Sequence, residues 1–403
     1  MGQWLSERLG QSFIIENRPG ASSNIATEAV VRALPDGYTL LLVTAANAIN
    51  TSLYEKLSFN LSRDIAPVAG ITPMRIIRSA SRPLDSLDKQ TSCLRRCDMR
   101  VAVMAAGAVG GYFGGRMAAD GHDVVFIARG AHGDAVRRDG LKIESALGDL
   151  HLKNVNVTDD PKQVGPVDVV LFAVKLWDTE TAGEQTRALV GPNTRVITLQ
   201  NGVDSVERLA PILGDEATIA GTTYVVTNIA RPGVIRHTGT VAKIHCGRLD
   251  GRPDAVLEGY VEQMKAAGID ITATGDMLLE IWKKFVLLSG TSGITASTRQ
   301  PLGVIRDDAD MRTFFFRLMH ETMAVGRAAG VEFPPDFPAE LERSVAGFPP
   351  MMKASMANDL HAGNRLELDW LAGKVVALGR KYGIPTPTQE AVYAILKPYR
   401  MGR

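Results

Sequence analysis

The chain has 403 residues, 45% of them hydrophobic and 22% charged, which matches ordinary globular protein and excludes disorder, collagen-like repeats and a disulfide scaffold. Its 45 Lys and Arg against 44 Asp and Glu leave a net charge of +1, so there is no general electrostatic case for a nucleic-acid or membrane-surface partner, and any basic site is local. Three cysteines, Cys93, Cys97 and Cys246, are too few for a disulfide framework, and a lone C-x3-C lacks the second ligand pair of a zinc site, so no metal is expected.

Residues 1–13 carry Glu7 and lack the basic-then-apolar build of an export signal. The longest apolar runs, such as Leu40 to Val43, fall short of the ~20 residues of a membrane helix, and the expected location is cytoplasmic. A short amphipathic helix is predicted at Trp4 to Leu9 and another at Ser23 to Leu34. Pro35-Asp36-Gly37 ends the second, and Tyr38 to Thr44 reads as an apolar strand. The segment ENRPGASSNIATEAVVRALPDGYTLLLVTAANAI resembles the solute-binding proteins of tripartite tricarboxylate transporters, over about residues 2–72. The resemblance implies a carboxylate-binding lobe, but the export signal, first strand and second lobe are missing. Residues 1–74 are therefore expected to form a partial α/β fragment with unpaired strand edges. Residues 75–98, rich in Arg, Ser and Asp without periodicity, read as a linker or a fusion scar.

Met99 opens a new pattern. The apolar run Arg100 to Met104 predicts a buried parallel strand, followed by Ala105-Ala106-Gly107-Ala108-Val109-Gly110-Gly111 and a helix through Ala118. Strand, glycine turn and helix are the context of the dinucleotide fingerprint G-x-G-x-x-G. Gly107 and Gly110 supply its second and third glycines, which admit the pyrophosphate and let helix and strand pack. Ala105 replaces the first, and alanine serves there with a negative φ. A phosphate is expected at the helix N-terminus, on the backbone of Ala105, Gly107, Ala108, Val109 and Gly110. After a second strand, Asp123 to Ala128, stands Arg129 rather than the acid that holds an NAD ribose, which favours a 2′-phosphate and hence NADPH.

The segment AAGAVGGYFGGRMAADGHDVVFIARG resembles the opening of ketopantoate reductases (2-dehydropantoate 2-reductases), and the resemblance extends over nearly all of residues 99–403. It implies a Rossmann-type parallel-sheet NADP-binding domain over residues 99–274 and an all-α catalytic domain over 275–403. A stand-alone reductase would begin at Met99, and either a fusion or an early start codon accounts for what precedes it. The family pattern places a second 2′-phosphate contact at Lys175, after the strand Val169 to Val174. It places a nicotinamide and substrate contact at Asn201, after the strand Val196 to Gln200. The alternation of strand and helix stops near Asp276. Lys284 then lies on an apolar stripe with Met277, Ile281 and Leu288, where pattern alone also accommodates a lysine whose head reaches water.

IWKKFVLLSGTSGITA resembles the segment bearing the family's catalytic lysine, which falls on Lys284. SMAND and RLELDW resemble its second active-site segment. The resemblance makes Glu367 the catalytic carboxylate, Ser355 a contact to the substrate carboxylate and Asp359 a supporting position. Two asparagines of the enterobacterial pattern correspond here to Leu288 and Ser292, and Ser292 is retained as a substrate contact. The implied activity is NADPH-dependent reduction of 2-dehydropantoate to pantoate, a step of pantothenate biosynthesis, by a monomer or homodimer. Leu288 keeps open a reductase of another 2-oxo acid or ketone. From other classes, a carboxylate-binding transport protein and a non-catalytic nucleotide-binding regulator remain.

Overall fold

A computed structural model describes residues 99–403 without interruption and, before them, Ser6, residues 10–18, Gly20, residues 23–34, residues 36–43, Asn47 and residues 57–65. The chain divides into two compact units, residues 1–92 and 93–403. In the first, the described elements are helices α1 (Asn24–Val31) and α2 (Leu61–Asp64). Buried Thr27 and Asn47 are joined there by a 2.8 Å hydrogen bond from the Asn47 amide. The strand expected at Tyr38 to Thr44 is not formed over its described part, residues 38–43. Tyr38, Leu40, Leu42 and Val43 are instead exposed, Tyr38 to 90%. A strand needs a neighbour for its N–H and C=O groups, and no strand occurs among the described residues of this unit. The expected helix at Trp4 to Leu9, except Ser6, and the linker with Cys93 and Cys97 lie outside the described residues.

The second unit is built on one ten-stranded sheet. Its strands are β1 (Arg100–Met104), β2 (Asp123–Ile127), β3 (Leu141–Ser145), β4 (Leu150–Leu152), β5 (Asn156–Thr158), β6 (Val169–Phe172), β7 (Arg195–Thr198), β8 (Thr218–Arg231), β9 (Val234–Gly247) and β10 (Asp270–Ala273). In the order β5-β2-β1-β6-β7-β8 all pairs are parallel, as the buried Val and Ile runs require. The long β8–β9 hairpin then turns antiparallel, β3 and β10 pair parallel with β9, and β4 closes antiparallel on β3. The expected parallel sheet is thus half of a mixed one. Helices α3 (Ala108–Ala119), α4 (Gly130–Asp139), α5 (Thr179–Thr186), α6 (Ser205–Leu213) and α7 (Ala255–Ala266) alternate with the strands.

After β10 only helices follow. Helix α8 (Met277–Thr298) runs ten residues past the apolar run that predicted it. Its second half is rich in Thr, Ser and Gly yet stays helical, and Thr291, Thr295, Ser297 and Thr298 satisfy their hydroxyls on carbonyls one turn back. A further helix, α9 (Ala309–Ala328), lies close beside it: a Cβ at Gly290 would come within 2.5 Å of Met319. Helices α10 (Phe337–Gly347), α11 (Ser355–Ala362), α12 (Ala372–Tyr382) and α13 (Pro387–Leu396) complete the bundle. Two large clusters hold the unit together. One is drawn from Met99 to Ile271, and the other, from Trp282 to Leu396, shares no buried residue with it. Because both begin at or after Met99, a chain starting at Met99 is expected to fold. Circular dichroism should show an unchanged cooperative melt of this unit, and aggregation on truncation would contradict the expectation.

Candidate active site

β1 delivers the chain into the glycine turn, where Ala106 N–H donates to the Ile127 carbonyl at 2.9 Å and pins the loop to β2. Contrary to the sequence expectation, Ala105 has φ +67°. The turn needs the left-handed conformation that a first glycine would supply freely, and Ala105 adopts it under constraint. Its carbonyl lies where a Cβ at Gly110 would approach to 2.6 Å. A left-handed alanine costs about 1–2 kcal/mol, and a glycine's extra unfolded-state freedom returns roughly half of that. Ala105→Gly is therefore expected to stabilise the protein by about 0.5–1 kcal/mol in denaturant melts.

At Gly107, the N-cap of α3, an added Cβ would meet nothing within 4 Å, and no side chain caps the helix. The N–H groups of the first turn, Ala108 to Gly110, therefore face an open cradle at the positive end of a helix, which suits a pyrophosphate. Arg129, exposed at the end of β2, donates to the Gln185 side chain at 2.6 Å. The residues present fit a dinucleotide.

The groups expected further along the chain converge at the carboxyl ends of β6 and β7. Gly202, with φ +86°, turns the chain just after β7 and leaves Asn201 half-buried at the turn. Its amide donates to Glu367 Oε2 at 3.4 Å, while Leu176 N–H donates to Glu367 Oε1 at 3.3 Å. Glu367 is buried, so these donors offset the cost of withdrawing its charge from water. Lys175 Nζ lies 3.3 Å from Asp359 Oδ2 and 3.8 Å from Glu367 Oε2. Lys284 is half-buried on α8, and burial pushes its ammonium down to about 8, with the charge of Glu367 pulling the other way.

The expected substrate contact at Ser292 needs revision, and the other expected residues take up the following positions. Lys175 and Arg129 are both expected at a 2′-phosphate; in the structure Lys175 faces Asp359 and Glu367, and Arg129 faces Gln185. Ser292 is fully buried and its hydroxyl has no hydrogen-bond partner, so the expected substrate contact is closed off inside the helix bundle. Ser355 is exposed on the first turn of α11, one turn before Asp359 on the same helix face, without a contact to the carboxylate cluster.

The sequence reading missed a cation–aromatic stack beside this cluster. The Arg365 guanidinium lies 4.6 Å from the Trp177 ring centre and 5.9 Å from that of Trp370, Arg208 lies 5.8 Å from Trp370, and Lys175 lies 5.6 Å from Trp177. It links segments nearly two hundred residues apart, and no spacing signals it.

A parallel sheet with a glycine turn at a helix N-terminus, together with a half-buried lysine and a buried carboxylate, fits a dinucleotide-dependent oxidoreductase. Known proteins agree. Residues 101–251 match the family described as ketopantoate reductase PanE/ApbA, and residues 276–400 match its C-terminal domain. The 2-dehydropantoate 2-reductase of Archaeoglobus fulgidus is 30% identical over 303 residues, covering 75% of this chain and 98% of that protein. The corresponding enzyme of Halobacterium salinarum is 30% identical over 72% of this chain and 95% of its own length. The solved PanE/ApbA family ketopantoate reductase of Ralstonia eutropha JMP134 superposes with TM-score 0.69 at 32% identity, over 75% of this chain and 98% of that one.

The chain belongs to the ketopantoate reductase family and is an NADP-dependent oxidoreductase acting on CH–OH. D-mandelate dehydrogenase, solved with NADH and anilino(oxo)acetate, shares the fold with TM-score 0.70 at 19% identity. Residues 1–110 match the tripartite tricarboxylate transporter family receptor, overlapping the reductase match at residues 101–110. No helix among the described residues is long and apolar enough to cross a membrane.

Proposed function

We propose that the chain reduces 2-dehydropantoate to pantoate with NADPH as a cytoplasmic enzyme of pantothenate biosynthesis, with residues 99–274 holding the cofactor and residues 275–403 supplying the proton donor. The observation that carries this reading is Lys284, half-buried and close enough to Glu367 to feel its charge, while Glu367 is held by Asn201 and Leu176 N–H where β6 and β7 end. When bound, NADPH supplies a hydride to the carbonyl carbon. Lys284 gives its Nζ proton to the carbonyl oxygen as negative charge builds there. Glu367 favours the protonated lysine and accepts from the substrate's hydroxyl. Asn201 fixes Glu367, and Ser355, at the positive end of α11, receives the substrate carboxylate. Arg129 meets the 2′-phosphate, and Lys175 joins it on leaving Asp359.

A second reading is favoured by Leu288 and Ser292. Leu288 packs partly buried on the helical cluster and Ser292 is sealed within it, so neither offers a polar contact one or two turns beyond Lys284. Such a site suits a 2-oxo acid with an apolar substituent. Following NADPH absorbance with 2-dehydropantoate and a series of aliphatic and aromatic 2-oxo acids separates the two. Highest kcat/KM with 2-dehydropantoate supports the first, and highest with an apolar 2-oxo acid supports the second. Consumption with none of them would overturn both.

A further inference from the structure

Helix α11 carries Ser355 and Asp359 of the active site, and four other residues of the same helix, among them Asn358 and His361, line a separate cavity of about 250 Å³. None of Lys175, Asn201, Lys284 or Glu367 lines it, and no Asp or Glu does. Three permanent cations do: Arg299, Lys353 and Arg403. Among the described residues none of the three has an acidic side chain as an ion-pair partner.

The cluster is held in place by backbone. Arg299 ends α8 with φ +60°, a position that glycine or asparagine usually fills because it strains other side chains. The Arg299 carbonyl accepts from Lys353 Nζ at 2.8 Å, which gathers the two residues, and its guanidinium lies 5.9 Å from the Tyr399 ring centre. Arg403 N–H donates to the Gly363 carbonyl at 3.0 Å, and its side chain occupies space that a Cβ at Gly363 would invade at 2.9 Å. Three exposed cations gathered around one recess without an acidic side chain among its lining residues make a local positive site that an anion fits.

We propose that this cavity binds a small phosphate monoester. Its two negative charges answer the unpaired cations, the guanidinium and ammonium groups supply charge-assisted donors, and Asn358 offers an amide to a polyol. The cavity is smaller than the 300–1,000 Å³ of sites for drug-sized ligands, so the ligand is compact.

The test is titration calorimetry on the full chain saturated with NADPH, which occupies the phosphate cradle of α3, using glycerol 3-phosphate as probe and glycerol as control. Saturable binding of glycerol 3-phosphate and none of glycerol is expected, weakened about tenfold or more in both Arg299→Gly and Lys353→Met. Arg299→Gly places glycine at a left-handed position and should melt no lower than the parent, which separates a lost site from a lost fold. Absence of binding to the parent protein, or equal binding to both variants, would overturn the proposal.

Discussion

Lys284→Met is expected to lower kcat for oxo-acid reduction by about 10²–10⁴ while leaving NADPH affinity unchanged. The loss follows from removing the proton donor, and methionine keeps the length and apolar stem of lysine, so the packing of α8 survives. The pH dependence makes the test sharper. With its ammonium pushed down to about 8, Lys284 is protonated below that value, and kcat/KM should fall as pH rises through it. The variant should lack that limb.

Stability should move the opposite way. A lysine depressed in the folded state binds its proton more weakly there than in the unfolded chain, so the charged form costs native stability at neutral pH. That cost disappears as pH rises from about 8 toward the unfolded value near 10.4. Lys284→Met removes it, less the attraction to Glu367 that is also lost, and should melt at pH 7 about 1–2 kcal/mol more stably than the parent. Near-normal turnover in the variant would sink the assignment of Lys284 as the acid, and a variant less stable than the parent would show that its attraction to buried Glu367 outweighs the cost of its burial.

The second large effect concerns two glycines three residues apart. Gly107→Asp places a carboxylate where a Cβ meets nothing, so the fold should be unperturbed, while like charge and bulk at the pyrophosphate cradle should weaken NADPH binding by about a hundredfold or more. Gly110→Val should fail differently. Its Cβ would sit 2.6 Å from the Ala105 carbonyl, 2.8 Å from Val103 Cγ1 and 3.2 Å from Ala173 Cβ, and backbone oxygen cannot step aside. Loss of the cooperative melt is expected, by about 3 kcal/mol or more, typical of overpacking at its upper end. NADPH binding by fluorescence, read beside thermal melts, separates the two. A folded, NADPH-competent Gly107→Asp would contradict the placement of the cofactor at α3.

Much of the reductase unit was legible in the sequence, for local reasons. The buried Val and Ile runs set β1, β2, β6 and β7 to within a residue or two, and the glycine turn announced α3. The helical half begins where alternation ceased, at Met277. Asn201, Glu367, Lys175 and Asp359 do come together, although it was the family resemblance that singled them out. What stayed hidden depends on distant partners. The sign of φ at Ala105 is set by the loop's attachment to β2 and by Gly110. The burial of Ser292 depends on helices that pack around α8. The Trp177, Arg365 and Trp370 stack joins segments with no common spacing. Tyr38 to Val43 has a strand's composition and no neighbour to pair with. Composition proposes a strand, and only a second strand completes it.

The two large hydrophobic clusters share no buried residue, and the polar groups of the active site lie at the junction between them. Descent can therefore act on the two halves separately. Side chains around Leu288 and Ser292 belong to the helical cluster, so substitutions there leave the packing beneath the glycine turn undisturbed.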